Sequence, residues 1–233
     1  MIDPITERAL LEFIKDFKPQ IRTHQGDGFD FRNLRKGASD DEKAASMADD
    51  WDMGSDFLRR FYDGGKIKDY LGGNHCWKRL NDLQKSSTGV MRDYANDAMK
   101  RFRQLIEGRC GAKLLPYDAR LGVLRRGHMK MVHGFFSGKS APARHAAVFG
   151  NVIHVHTHAI TIAPVESDLG PGEARGIGCV CKVDMDYNAT QTNKLMHNNG
   201  WGYGFLYDDG TYDIFQARRL NDRFVAAHEI KAY

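Results

Sequence analysis

Two short stretches, Val132-His133-Gly134 and Val155-His156-Thr157-His158, place imidazoles directly after apolar runs of the sequence. The runs before them, 129–132 and 151–156, are predicted to be strands. Residues two apart on an extended backbone point to the same side, so His156 and His158 are expected to share a side. Functional sites in layered α/β folds lie at the carboxyl ends of strands. The two stretches therefore predict an α/β fold with a site after these strands.

Two segments nearer the N-terminus show the same pattern. Gly26-Asp27-Gly28-Phe29-Asp30 follows an extended stretch at 20–25, and Gly72-Gly73-Asn74-His75 follows a predicted strand at 66–71. Together the four segments supply a carboxylate, an amide oxygen and several imidazoles, a mixture that suits Zn²⁺, Mn²⁺ and Fe²⁺. If they converge in space, the chain builds a hydrolytic metal centre.

Each candidate also has a plainer interpretation. Asp27 in Gly-Asp-Gly and Asn74 in Gly-Gly-Asn are typical turn residues. His154 shares the strand parity of His156 but lies one step deeper, which makes it the weaker ligand candidate, and His24 is ambiguous because it is close to Asp27. The remaining histidines lack such neighbours and are interpreted as surface or structural residues: His128, His145, His197 and His228.

The rest of the chain predicts alternating helices and strands up to residue 158 and mostly strands after it. Asp3-Pro4 should open the first helix and Ser39-Asp40-Asp41-Glu42 a long one that continues to about Tyr62. The other predicted elements are helices at 90–107 and 141–149, extended chain at 120–133, strands at 159–163 and 176–183, a connecting loop at 164–175 and a hairpin at 202–217. We interpret 1–233 as a single domain, with a motif-bearing α/β part at 1–158 and a β-rich part at 159–233.

Composition is typical of a globular protein, with 42% hydrophobic and 27% charged residues. The net charge of +4 is compatible with an anionic substrate but does not indicate nucleic-acid binding by itself. No apolar run reaches the ~18 residues of a membrane span, and no signal peptide is visible, so a cytoplasmic protein without a membrane partner is expected. The four cysteines do not form a disulfide framework. Cys179 and Cys181 are interpreted as reduced core thiols rather than metal ligands because apolar residues surround them.

The ordered blocks resemble the calcineurin-like metallophosphoesterase family in its phage and bacterial form. That family's signature is Asp-x-His, Gly-Asp-x-x-(Asp/Glu), Gly-Asn-His-(Asp/Glu), His and Gly-His-x-His, and four of the five blocks occur in order over 26–158. The resemblance extends to nearly the whole chain through a lead-in and a tail: 13–19, Gly178-Cys179-Val180-Cys181, Tyr187 and 201–205.

The resemblance implies a two-metal hydrolase on a four-layer αββα sandwich. It implies that Asp27 bridges both metals, which could be Mn, Fe, Zn or Ni. One metal site would be completed by Asn74, His133 and His156, and the other metal would be bound by His158.

The resemblance also implies two catalytic roles. His75 would contact the phosphate and protonate the leaving group, and Asp30 would support His75. The substrate would be a phosphomonoester or phosphodiester, and a nucleic acid, a nucleotide and a phosphoprotein all fit. The aromatic and basic residues Trp77-Lys78-Arg79 beside the site slightly favour a nucleic-acid substrate.

Three departures from the family pattern affect these expectations. The Asp-x-His block is absent, as if the chain began after the first strand of the sandwich, so the second metal is expected to bind weakly and activity to be impaired. Cys76 stands in place of the acid that orients His75, and Val155 in place of the glycine before His156.

Two alternatives from other functional classes stay open. In the first, a single metal held by Asp27, Asn74, His133 and His156 is structural, and basic loops bind a phosphate or nucleic acid without turnover. Those loops carry Arg32, Arg35, Lys36, Lys139 and Arg144, which could clamp a phosphate, although a solvated rim is the preferred interpretation of them. In the second, the chain is an inactive interaction module whose exposed sheet edge pairs with another chain.

Overall fold

The computed structural model describes residues 2–166, 172–183 and 195–226. The chain folds into two compact units, one formed by the described parts of Met1–Lys18 and Val123–Tyr233 and the other by Pro19–Gly122. Both contain helices and strands, which confirms the predicted α/β class. The interpretation of 1–233 as a single domain stays a prediction.

Six α-helices and eleven strands follow one another along the described residues. The helices are α1 (Pro4–Phe17), α2 (Asp40–Ala44), α3 (Met47–Tyr62), α4 (Arg79–Ser86), α5 (Gly89–Arg103) and α6 (Ala141–Phe149). The strands are β1 (Ile21–His24), β2 (Ile67–Leu71), β3 (Lys113–Leu115), β4 (Leu124–Arg126), β5 (Met129–Val132), β6 (Val152–His154), β7 (Ile160–Val165), β8 (Gly172–Ile177), β9 (Gly200–Leu206), β10 (Tyr212–Leu220) and β11 (Arg223–Val225). A 3₁₀ turn (Arg32–Leu34) and two π-helical segments (Asn74–Lys78 and Gln104–Arg109) complete them.

The unit Pro19–Gly122 contains a three-stranded parallel sheet in the order β1-β2-β3. Because the strands are parallel, the segments that follow them all leave from one edge of the sheet. Its helices bury an aromatic core around Trp51, Tyr62, Tyr70 and Phe102. The sequence thus places Asp27, Asn74 and His75 where three strand ends come together.

The predicted long helix from Ser39 to Tyr62 was wrong in one respect, because the structure has two helices there. Ser39 forms the predicted capping box with Glu42 and starts α2, but Ala45 is extended and Ser46 caps α3. A serine side chain can bond to nearby backbone N–H groups outside a helix, so a second serine offers a second helix start. The predicted helix at 141–149 is confirmed as α6.

In the other unit, α1 begins as predicted, with Asp3 accepting hydrogen bonds from Thr6. Its apolar face packs against the β9–β10 hairpin, where the ring of Phe13 lies 5.6 Å from that of Trp201 and 4.9 Å from that of Tyr203, measured between centroids. These ring contacts bury the apolar face of α1.

The same unit contains a five-stranded mixed sheet in the order β4-β5-β6-β8-β7. The predicted change after His158, from alternating helices and strands to mostly strands, is not a boundary between two units, because β6 before it and β7 after it belong to this one sheet. The predicted strand 151–156 ends early, at His154. The prediction of a strand at 176–183 was wrong for most of its length, because only Gly176 and Ile177 belong to a strand, at the end of β8. Part of the predicted loop at 164–175 is strand, and 167–171 lie outside the described residues.

No helix in the described part of the chain has both the length and the apolar character needed to cross a bilayer.

Candidate metal centre

In the unit Pro19–Gly122, the candidate residues follow the carboxyl ends of the parallel strands. Asp27 follows β1, Asn74 and His75 follow β2, and Tyr117 follows β3. Asn74 and His75 open the π-helical segment Asn74–Lys78, and such segments recur at functional sites. Four of the residues predicted from sequence therefore lie at this edge of the sheet: Asp27, Asp30, Asn74 and His75.

Asp27 is held in an unusual backbone conformation and at close range to the second strand end. Its φ is 54°, in the left-handed region that non-glycine residues rarely adopt. Its Oδ1 accepts a 2.8 Å hydrogen bond from the backbone N–H of His75. This approach requires Gly73, because a Cβ there would overlap with the Asp27 carboxylate and lie 2.6 Å from the Asp27 backbone nitrogen.

The ring of His75 is fixed by Asp30. His75 Nδ1 lies 2.7 Å from Asp30 Oδ1, and the Arg79 guanidinium lies 3.2 Å from the same oxygen. Burial opposes ionisation of Asp30, but the hydrogen bond to His75 and the charges of His75 and Arg79 lower its pKa to about 2. Asp30 is therefore a carboxylate at neutral pH, and it directs the other ring nitrogen of His75, Nε2, away from itself.

Neutral groups surround the Asp27 carboxylate. Cys76 is fully buried, and its thiol contacts the Tyr70 hydroxyl at 3.4 Å and the Gly73 N–H at 3.3 Å. Burial, and then the charge of Asp27, raise the pKa of Cys76 to about 11 and that of Tyr117 to about 12. Both stay protonated at neutral pH, so Cys76 acts as a packing residue rather than as the acid that stands there in the family pattern.

In the other unit, His133 and His156 lie side by side. His133 follows β5, His156 follows β6, and their ring centroids are 5.4 Å apart. The backbone N–H of Val155 donates to the His133 carbonyl at 2.9 Å. Gly134 permits this approach, because its φ is +123° and a Cβ there would lie 2.9 Å from the Cβ of His156.

The prediction that His156 and His158 continue a strand was wrong. Their φ angles are 67° and 54°, both left-handed, so the chain leaves the sheet after His154. Six non-glycine residues of the described chain have positive φ, and Asp27, His156 and His158 are three of them. Left-handed backbone costs roughly 1–3 kcal/mol at a non-glycine residue and concentrates at functional sites. The backbone strain thus occurs at three residues to which the resemblance assigns a role as metal ligands.

His154, the weaker candidate, faces a structural partner. It is completely buried, and its ring stacks on that of His145 at 4.1 Å with an angle of 13° between the rings. His145 Nε2 accepts from the Phe135 N–H at 3.0 Å, and its Nδ1 lies 2.7 Å from the Ala141 carbonyl. Burial and the neighbouring His154 lower the pKa of His145 to about 4, so both rings are neutral packing groups.

His158 lies beside the cysteine pair. Its Nδ1 is 3.9 Å from Cys181 Sγ, and a ligand atom from each of His158, Cys179 and Cys181 lies within 4.8 Å of the other two. Both cysteines are partly exposed, which differs from the predicted core thiols. The pKa of Cys181 is lowered, mainly by the hydrogen bond from Cys179, with a further contribution from His158.

The remaining candidates have partners or positions of their own. His24 stacks on Tyr70 at 4.9 Å, His128 is exposed, and His228 and Tyr187 lie outside the described residues. Two basic side chains of the predicted anion-binding loops have partners within their unit, Arg35 with Glu42 and Arg144 over the ring of Phe136, and Lys78 beside the Asn74–His75 segment pairs with Asp82.

Sequence reasoning missed the contact of Arg79 with Asp30, the position of Tyr117 and the proximity of His158 to the cysteines. The rule used for Asp27 and Asn74, that sites follow strand ends, would have found Tyr117 two residues after β3. Nothing in the local sequence pairs His158 with residues more than twenty positions away. No family model matches the chain, and no curated protein matches it.

Proposed function

We propose that this protein is a metal-dependent phosphoesterase that hydrolyses phosphomonoesters or phosphodiesters. The observation that carries the proposal is the Asp27–His75–Asp30 arrangement, in which a carboxylate for a cation adjoins an imidazole oriented by a second carboxylate. His133 and His156, which follow strands of the other unit, offer imidazole nitrogens of the kind that such cations also bind.

The donor set fits the divalent ions that the resemblance implies. Carboxylate, amide oxygen and imidazole suit Mn²⁺, Fe²⁺, Zn²⁺ and Ni²⁺. The resemblance assigns Asp27, Asn74, His133 and His156 to one cation and His158 to another. When bound, the cations would lower the pKa of water and neutralise charge on the phosphoryl oxygens.

The protein's own residues would then position the ester and move a proton. The bond between Asp30 and Nδ1 of His75 leaves Nε2 as the atom that donates a proton to the leaving oxygen. General acid catalysis of this kind contributes roughly 10²–10⁴ to the rate. Arg79 would hold the Asp30 carboxylate in place, and the rigid Gly73 turn would keep Asp27 at its distance from His75.

Three finer points belong to the same proposal. The fold would be the four-layer αββα sandwich of the metallophosphoesterases. The substrate would be an anionic ester, with nucleic acid and nucleotides as the first classes to test. The protein would act in the cytoplasm.

The proposal is tested by hydrolysis of bis-p-nitrophenyl phosphate with added Mn²⁺, comparing His75→Asn with His128→Asn. His128 is exposed and serves as the matched control. We expect His75→Asn to retain its cations and to lower kcat, with a larger loss for an alkyl ester than for the nitrophenyl ester, because a poor leaving group depends more on the acid. His128→Asn should change neither quantity.

Protein that contains no divalent cation and gains no activity from Mn²⁺ would rule the proposal out. Tight phosphate binding without turnover would instead support a non-catalytic binding module built on a single metal.

A further inference from the structure

We infer that His158, Cys179 and Cys181, joined by His197, form a second type of metal site that binds a zinc ion through two thiolates and two imidazoles. The inference goes beyond the proposed phosphoesterase and reassigns His158, which the resemblance gives to its second cation, to a separate site with sulfur ligands.

The three ligand atoms already have the spacing of a tetrahedral site. With Zn–S near 2.3 Å and Zn–N near 2.0–2.1 Å, a tetrahedral ion separates its sulfur and nitrogen ligands by about 3.6 Å. The separation of His158 Nδ1 and Cys181 Sγ is 3.9 Å, and all three atoms lie within 4.8 Å of one another. Side-chain shifts of about 1 Å or less would bring the three atoms to these separations.

His197 is the candidate for the fourth ligand. Its ring centroid is 5.2 Å from that of His158, at an angle of 63°. Its Nδ1 is buried and has no hydrogen-bond partner among the described residues. A buried polar nitrogen without a partner is costly, and coordination to an ion would remove that cost.

β-bridges and a backbone hydrogen bond join the three chain segments that carry the four residues. His197 forms a β-bridge with Ala159, and Cys179 forms one with Asn199. The Asn198 N–H donates to the His158 carbonyl at 2.8 Å. The ligands are therefore fixed before an ion arrives, which favours binding.

Asn199 supplies a hydrogen bond to the thiolate region. It is buried, and its Nδ2 donates to the Cys181 carbonyl at 2.7 Å and lies 3.9 Å from Cys179 Sγ. Hydrogen bonds of this kind around a metal site orient its ligands. Soft thiolates combined with imidazoles select zinc over the hard cations, and binding would release the thiol protons to water.

Cobalt substitution tests this site directly. The metal-free full-length chain is titrated with Co²⁺, and we expect one equivalent to give a thiolate-to-cobalt charge-transfer absorption that Zn²⁺ removes. Cys179→Ser and Cys181→Ser should each abolish it, and His197→Gln should weaken Co²⁺ binding at least tenfold. Cys110→Ser, which removes a buried thiol elsewhere, should leave the absorption unchanged.

The two proposals fail in different ways. Asp27→Asn should reduce ester hydrolysis and leave the charge-transfer band intact. Absence of the band in the wild-type chain would overturn the inference, and so would its persistence in the Cys179→Ser/Cys181→Ser double variant. A mass lower by two hydrogens in freshly purified protein, which marks a Cys179–Cys181 disulfide, would also overturn it.

Discussion

Replacing Gly73 by alanine isolates the contact on which the Asp27 arrangement depends. The backbone of Gly73 has φ −109° and ψ 174°, which alanine adopts without strain. The only obstacle is space, since the new methyl would overlap with the Asp27 carboxylate and lie 2.6 Å from its backbone nitrogen. The Asp27 turn would have to move away from His75 by about 1 Å to reach ordinary contact distances.

The expected magnitudes follow from that displacement. Overpacking costs roughly 1–3 kcal/mol of unfolding free energy, and loss of the bond from the His75 N–H to Asp27 costs about 1 kcal/mol more. A shift of about 1 Å in a catalytic group lowers the rate by around 10²-fold. Gly73→Ala should therefore lower stability by roughly 2–4 kcal/mol and reduce both Mn²⁺ affinity and hydrolysis of bis-p-nitrophenyl phosphate.

Gly108→Ala is the matched control, because a Cβ at Gly108 meets no atom within 4 Å. We expect it to leave metal affinity and turnover unchanged. Urea unfolding, isothermal titration with Mn²⁺ and initial rates give the three readouts. If Gly73→Ala behaves like Gly108→Ala in all three, the close approach of the two strand ends is not part of a metal centre.

Three further predictions concern other contacts of the candidate residues. Asp30→Asn should lose roughly 2 kcal/mol of unfolding free energy at pH 7, because the pKa of Asp30 is lowered to about 2, and its deficit relative to wild type should shrink as pH falls from about 4 to 2 in urea titrations. Because the pKa of His145 is lowered to about 4, only the unfolded state protonates this ring between about pH 6.5 and 4. The unfolding free energy of wild type should therefore fall by about 3 kcal/mol over that range, and that of His145→Gln should fall by less in the same urea titrations. Gly134→Ala should separate His133 from His156 and weaken cation binding by calorimetry, since its φ of +123° excludes a side chain; unchanged binding would contradict the pairing.

Local sequence rules predicted the elements whose causes are local. The Asp3 cap with Pro4 started α1, and the Ser39–Glu42 capping box started α2, because those hydrogen bonds join residues three apart. The strand-end rule placed Asp27 and Asn74 at one sheet edge because parallel strands share a direction. These features needed no knowledge of distant contacts.

The failures of prediction have a different origin. The chain after His154 was predicted to stay extended because His156 and His158 follow an apolar run. The backbone of both residues is instead left-handed, and the strand ends before them. Cys179 and Cys181 were interpreted as core thiols because their neighbours in sequence are apolar. Only the fold brings His158 next to them, through a backbone bond between His158 and Asn198.

The location of the strain gives the strongest reason to connect these residues with function. A chain selected for stability alone would place glycine or asparagine at left-handed positions, as it does at Gly134 and Asn221. Asp27, His156 and His158 instead keep a side chain of a type that can bind a metal, at a cost of roughly 1–3 kcal/mol each. Replacing His156 or His158 by glycine should therefore raise stability and lower cation affinity, an opposition that a turn residue without a ligand role would not show.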